Sequence, residues 1–197
     1  MAKKRLRNQE PSEVDQTSLR HVLVVGGTLD EWQALTEVQW AQRRHELCAI
    51  ASGAGATWLT LRPYERGGNS SAAAIVAAAT RTIEDHDGCT VIVDWCPDGR
   101  DRLLAAIEQL RVGGLGHGRG QIDEAALADA LMAPAPCEPD LTVVLGPSTR
   151  VPPSLIWELS YCELVFIDAT WDLLSGPHIK HAINEYALRN RRFGGIT

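Results

Sequence analysis

HVLVVGG, residues 21–27, decides the fold class. After His21 the run is uniformly apolar, rich in β-branched valine and closed by two glycines, which is how a strand covered on both faces of a parallel sheet reads. Downstream, Asp30 to about Ala54 reads as a helix, with Asp30 as N-cap and Gly53 and Gly55 as stop signals. TWLTL (Thr57–Leu61) is a second strand, ended by Pro63 and the turn-rich ERGGNS, and alanine-rich Ser71–Asp85 reads as a helix. CTVIVDW (Cys89–Trp95) is a third strand, followed by an amphipathic helix over Arg100–Arg111 with Leu103, Leu104, Ile107 and Leu110 at helical spacing. A short helix at Ile122–Met132, the stiff connector APAPCEP, a strand at Leu141–Gly146, a helical segment at Leu155–Ser160, a strand at Leu164–Ala169 and a terminal helix at His178–Arg192 complete the chain. Strands alternating with helices predict an α/β fold, a parallel β-sheet core flanked by helices on both faces.

At 197 residues, with 45% apolar and 22% charged residues, the chain suits one folded domain, here 21–197, behind a polar basic tail at 1–20. A formal net charge of -6 argues against general nucleic-acid binding, which rests on neutralising phosphates with Lys and Arg. Basic residues crowd the two ends: Lys3, Lys4, Arg5 and Arg7, then Arg189, Arg191 and Arg192. The first cluster reads as a solvated tail or as a weak electrostatic contact with an anionic membrane surface. Five cysteines without a CxxC pair indicate neither a disulfide framework nor a zinc ribbon, and reduced thiols suit a cytoplasmic protein. Residues 1–20 lack the apolar core of a signal peptide, and no run of about 20 apolar residues would cross a bilayer, so the expectation is a soluble or peripheral protein. Gly113–Gly120, GGLGHGRG, follows a helix where a phosphate loop would follow a strand and open a helix, so it reads as a surface loop.

The last sixty residues are the most specific. Pro139-Asp140-Leu141, Trp157, Glu163-Leu164, Phe166, Trp171 and Arg191 to Gly195 stand at fixed spacings that resemble the carboxyl-terminal region of undecaprenyl diphosphate synthases and other cis-prenyltransferases. Upstream, His21-Val22, Trp32 and Leu59-Thr60-Leu61 fit that family's first strand, first helix and second strand. The resemblance implies synthesis of prenyl diphosphates from isopentenyl and allylic diphosphates.

The departures fall on the chemistry. In the family the first strand ends in Asp-Gly-Asn-Gly-Arg-Trp, whose Asp holds magnesium and the diphosphate; here it reads Gly27-Thr28-Leu29-Asp30-Glu31-Trp32. The carboxylate has become Gly27, and the phosphate-gripping Arg has become Glu31, which repels a diphosphate. The family's Phe-Ser-x-Glu-Asn-Trp segment has no counterpart in Arg62 to Gly67, and of its Arg-rich turn only Arg150 survives between Val144 and Pro153. Between Tyr64 and Thr90 the chain is shorter than the enzymes, as though a strand and a tunnel-walling helix were omitted.

Such losses resemble those of the Nogo-B receptor type of accessory subunit, which pairs with a catalytic cis-prenyltransferase. Pro97-Asp98-Gly99-Arg100 and Leu145-Gly146-Pro147 are similar to two segments of that branch. By that resemblance Arg192-Phe193-Gly194, with Arg150, would contact substrate diphosphate across the interface, a guanidinium offering forked donors and a glycine close amides; Arg192 also reads as a basic helix end favoured by the helix dipole, and Arg150 as the partner of an acid. This chain would bind no cofactor itself, Mg2+ lying in the partner's active site. Glu163 matches a glutamate near that metal but is a poor magnesium site alone. His21, Trp157 and Trp171 read as structural. Two other readings stay open: a diverged prenyl diphosphate synthase or terpene-forming enzyme with a magnesium site rearranged onto Asp30, Asp94 or Glu163, and a homodimeric binding module.

Overall fold

The computed structural model describes residues 19–64, 81–86, 88–115, 120–147, 151–160 and 162–189. A six-stranded sheet runs through it: β1 (His21–Val25), β2 (Trp58–Arg62), β3 (Arg81–His86), β4 (Cys89–Asp94), β5 (Leu141–Leu145) and β6 (Glu163–Ile167), in the order β3-β4-β2-β1-β5-β6. Every pairing is parallel except β3 with β4. Five helices complete the described residues: α1 (Leu29–Gln33), α2 (Glu37–Gly53), α3 (Gly99–Val112), α4 (Glu124–Met132) and α5 (Gly176–Leu188).

The uniform apolarity of the strands has its cause in two covered faces. Val22, Val24, Leu59, Leu61, Val91, Val93, Leu141, Val143 and Val165 join Leu47 and Ala51 of α2 and Ile179 and Ala182 of α5 in the larger core. Leu23, Val25 and Val144 point the other way, onto Leu155. Each strand residue thus faces one layer and its neighbour the other, the period of two that a pleated backbone imposes.

Four expectations change. The single helix over Asp30 to Ala54 is two, because Thr28 and Thr36 each build a capping box, with Glu31 and Gln39 three residues on. Asp30 therefore lies inside α1. The helix expected over Ser71–Asp85 fails at its end: Arg81–Asp85 belong to β3, and residues 71–80 lie outside the described part. The Asp87-Gly88 dipeptide, with Gly88 at φ 90°, signals the β3–β4 hairpin. Leu155–Ser160 forms not an α-helix but two short 3-10 turns, Pro153–Leu155 and Glu158–Ser160. The terminal helix ends at Leu188; Arg191 and Arg192 lie outside the described residues.

Candidate functional site

The carboxyl ends of β1, β2, β5 and β6 surround a cleft of about 350 Å³ lined by Gly27, Thr28, Glu31, Tyr64, Leu145, Gly146, Ala169, Thr170 and Trp171. Such a position, outside the carboxyl ends of parallel strands, is where open α/β sheets bind ligands. Thr28 opens α1 as its N-cap. Its backbone N–H donates to Glu31 Oε2 at 2.7 Å, and Glu31 N–H donates to Thr28 Oγ1 at 3.2 Å. Among the described residues, the only carboxylate lining the cleft is therefore already engaged by the loop it caps.

Beneath the cleft lies a group of four indoles. Trp32 and Trp171 stack with ring centroids 4.8 Å apart, Trp40 and Trp95 stand edge-on to Trp32 at 5.0 and 5.3 Å, and Trp32 Nε1 donates to Gly26 O at 2.8 Å. Arg43 Nη1 donates to Trp171 O, and its guanidinium lies 4.8 Å from the Trp171 ring centroid. Gly27 takes φ 75°, in the left-handed region that favours glycine.

The residues present do not fit a magnesium ion. Gly27, where the resemblance expects a carboxylate, carries no side chain, and Glu31 is engaged by Thr28. Among the described residues no group of three or more His, Cys, Asp or Glu is placed to hold a metal. The alternative set of Asp30, Asp94 and Glu163 is not brought together. Glu163 opens β6, paired with Leu141, so it sits at the opposite end of the strands from the cleft, about 13 Å along β6 from Ile167 at ~3.3 Å per residue. There Arg189 Nη1 donates to Leu164 O at 2.5 Å and lies 3.4 Å from Glu163 Oε2. Asp94 ends β4, four strand positions from β6 in the sheet order, and is 1% exposed.

Asp94 belongs to an ion network that sequence reasoning missed. Arg62 Nε and Arg102 Nε lie 3.2 and 3.1 Å from Asp94 Oδ2, while Arg62 Nη1 and Arg102 Nη1 lie 2.7 and 2.8 Å from Glu158 Oε1. Arg81 joins from β3, its Nε 3.9 Å from Asp94 Oδ2. Burial alone would push both carboxyls up; the arginines reverse this, holding Glu158 at about 2 and Asp94 below its usual range. The one available signal was Arg62 at the end of an otherwise apolar strand, which needs a partner wherever both faces are covered.

His21 is buried, its Nδ1 3.0 Å from Cys137 O and its Nε2 2.8 Å from Thr60 Oγ1, and burial lowers its pKa to about 4. Its structural reading fits this geometry. Trp157 Nε1 donates to Glu138 Oε1 at 2.7 Å. Asp140 accepts the amides of Arg20 and His21 at 2.7 and 3.0 Å, so this carboxylate fixes the start of β1. Asp98 caps α3, accepting from Arg100 N–H at 2.7 Å. Arg150, Arg192, Phe193 and Gly194 lie outside the described residues.

Comparison with known proteins agrees with this architecture. Residues 66–194 match the family described as "Putative undecaprenyl diphosphate synthase", and the chain belongs to that cis-prenyltransferase family. It is 36% identical over 110 residues to an isoprenyl transferase of Chromobacterium violaceum, covering 55% of this chain and 42% of that protein. It is 31% identical over 137 residues to isoprenyl transferase 2 of Bradyrhizobium diazoefficiens, covering 68% of this chain and 54% of that protein. The chain thus spans about half the length of the curated relatives it matches. Two solved structures share the fold. One is a probable undecaprenyl diphosphate synthase from Campylobacter jejuni, at TM-score 0.59 and 18% identity over 89% of this chain and 98% of that one. The other is lavandulyl diphosphate synthase from Lavandula x intermedia with dimethylallyl diphosphate, at TM-score 0.61 and 17% identity over 90% and 98%. No helix among the described residues is long and apolar enough to cross a membrane.

Proposed function

We propose that the chain is a non-catalytic accessory subunit of a heteromeric cis-prenyltransferase, of the Nogo-B receptor type, which completes a catalytic partner's active site for polyprenyl diphosphate synthesis from isopentenyl and allylic diphosphates. The observation that carries this is the cleft itself. It lies outside the carboxyl ends of the parallel strands, where open α/β sheets bind ligands, yet among the described residues its only lining carboxylate is Glu31 and no lysine or arginine lines it. A group with two or more negative charges gains nothing from such walls. Mg2+ then belongs to the partner, and Arg192-Phe193-Gly194 with Arg150 supply donors to the partner's bound diphosphate. The location proposed is cytoplasmic, with the basic residues 3–7 available to an anionic membrane surface.

A surface suited to that partner adjoins β6. Ile156 and Leu159 are 50% and 45% exposed, beside half-buried Trp157, Leu164 and Phe166. Leu155 and Val165, by contrast, are buried in the chain's own core and add nothing to the patch. Obligate interfaces bury about 2,000 Å² or more, so the patch is part of a larger contact.

The deciding experiment expresses the chain alone and with its co-purifying partner and assays condensation of radiolabelled isopentenyl diphosphate with farnesyl diphosphate. The expected result is no product from the chain alone, product from the pair, and faster turnover by the pair than by the partner alone. Polyprenyl product from the isolated chain would establish instead a diverged synthase.

A further inference from the structure

We infer that this chain's metal and diphosphate site is closed by compensating packing as well as by loss of its carboxylate, so that restoring the carboxylate at residue 27 does not restore the site. A Cβ built on Gly27 meets Trp171 Cβ and Cγ at 2.7 Å each and Trp32 Nε1 at 2.9 Å. None of these atoms is the free end of a flexible side chain. Trp171 is 1% exposed, stacked on Trp32 and held through its carbonyl and ring by Arg43. Trp32 Nε1 is committed to Gly26 O. Backbone conformation adds to the obstruction, because φ 75° at Gly27 strains any side chain.

The neighbouring group closes the same space from the other side. Glu31 Oε2 accepts the Thr28 amide, so the loop's exposed donor is met by the chain's own carboxylate. The substitution Gly27→Asp would add a second carboxylate four residues from an engaged one, with no lysine or arginine among the described cleft-lining residues to offset the pair. Two guanidiniums on neighbouring elements are occupied: Arg43 on the Trp171 and Asp172 carbonyls, Arg62 in the ion network. The closed loop is a property of this chain alone and stands whether or not a catalytic partner exists.

The test compares the full-length chain with Gly27→Ala, Gly27→Asp, Trp171→Ala and the double variant Gly27→Asp/Trp171→Ala. Gly53→Ala is the control, since a Cβ there meets nothing within 4 Å. Melting temperature is one readout, and calorimetric titration with Mg2+ followed by inorganic pyrophosphate is the other. Gly27→Ala should melt well below Gly53→Ala, and Gly27→Asp lower still. The drop caused by Gly27→Asp should shrink in the Trp171→Ala background. Neither the parent chain nor Gly27→Asp should bind Mg2+ with pyrophosphate. A Gly27→Asp chain that melts with the parent, or that binds Mg2+ and pyrophosphate, overturns the inference. A Gly27→Asp penalty that is equal in both backgrounds does so too, and because Gly27→Ala and the Trp171→Ala background report independently, a Gly27→Asp chain that fails to fold leaves it testable. Catalysis by a co-purified pair is untouched by any of these outcomes, so the accessory role and the closed loop stand or fall separately.

Discussion

Arg62 and Glu158 are 96 residues apart in sequence and joined at 2.7 Å in a place where both side chains are almost wholly buried. The pair ties the carboxyl end of β2 to the second 3-10 turn, and Arg102 on α3 closes the same carboxylate from a third direction at 2.8 Å. The segment 153–160, which has little regular hydrogen bonding of its own, is therefore positioned by charge. Glu158→Gln leaves Arg62 and Arg102 with Asp94 as their one remaining buried counter-ion among the described residues. Breaking a buried pair by removing one partner costs about 3–5 kcal/mol, so urea unfolding should show a loss of that order. The exposed Arg111–Glu108 pair is the contrast: Arg111→Ala should move the midpoint by no resolvable amount.

Stability should fall as the solution is acidified, in two stages. His21 is held neutral in the fold, with its pKa lowered from 6.5 to about 4, chiefly by burial and against the pull of Cys137 O and Asp140. Between those values the unfolded chain binds a proton that the folded chain refuses, so stability declines as pH drops from 6.5 to 4, by about 3 kcal/mol at 1.36 kcal/mol per pKa unit. Glu158 acts lower down. Its pKa falls from 4.5 to about 2, so its contribution is complete above 4.5 and is lost between 4.5 and 2, with Asp94 shifted in the same direction. Urea midpoints measured from pH 7 to 4 should slope downward, and His21→Gln should flatten the upper part of the slope. A flat profile from 6.5 to 5 would show that His21 does not titrate as described.

Gly99 is needed for space rather than for backbone freedom. A Cβ there would lie 2.6 Å from Ile156 Cγ2 and 2.7 Å from Pro153 O, so α3 docks on the 153–156 segment through a bare backbone. Gly99→Ala should cost roughly 1–3 kcal/mol through overpacking, read by chemical denaturation. At Gly113 the nearest atoms stand at 3.4 Å, and Gly113→Ala should be close to neutral.

Turnover of the assembled pair tests the carboxyl terminus. If Arg192 donates to the partner's diphosphate, Arg192→Ala should leave assembly intact and lower kcat/KM for isopentenyl diphosphate ten- to hundredfold, matching a charge-assisted hydrogen bond of roughly 1.5–3 kcal/mol. Arg189→Ala is the comparison, and Arg189 holds the Leu164 carbonyl. It should cost some stability while leaving kcat/KM unchanged. Equal kinetic effects from the two substitutions would remove Arg192 from the partner's site.

Much of this was legible in the sequence because the strands are buried on both faces. His21–Val25, Cys89–Asp94 and Leu141–Leu145 stand within a residue or two of where their apolar runs place them. β3 was not, because Arg81, Glu84, Asp85 and His86 are edge residues whose conformation is set by pairing with β4. That Gly27 stands where the resemblance expects a carboxylate was legible. The packing of Trp171 against it was not, since Trp171 is far along the chain and only the fold brings the two together. The ion network escaped for the same reason: Arg62, Asp94, Arg102 and Glu158 come from four separate elements, and nothing in the order of the chain pairs them.

The reversed direction of β3 has a consequence for how the chain tolerates changes of length. Arg81 pairs with Asp94 at the carboxyl end of β4, and β2 leaves the sheet at Arg62 on that same rim. Arg62 and Arg81, the described residues at the two ends of this connection in β2 and β3, therefore stand on one rim of the sheet, the rim that holds the cleft. With both ends on one rim, a change in the length of the connection leaves the pairing of β2 and β3 with β4 geometrically possible. Doubling such a connection costs only about 0.6 kcal/mol in closure entropy. A longer or shorter connection is thus compatible with the same sheet, and any difference in its length falls on the rim of the cleft.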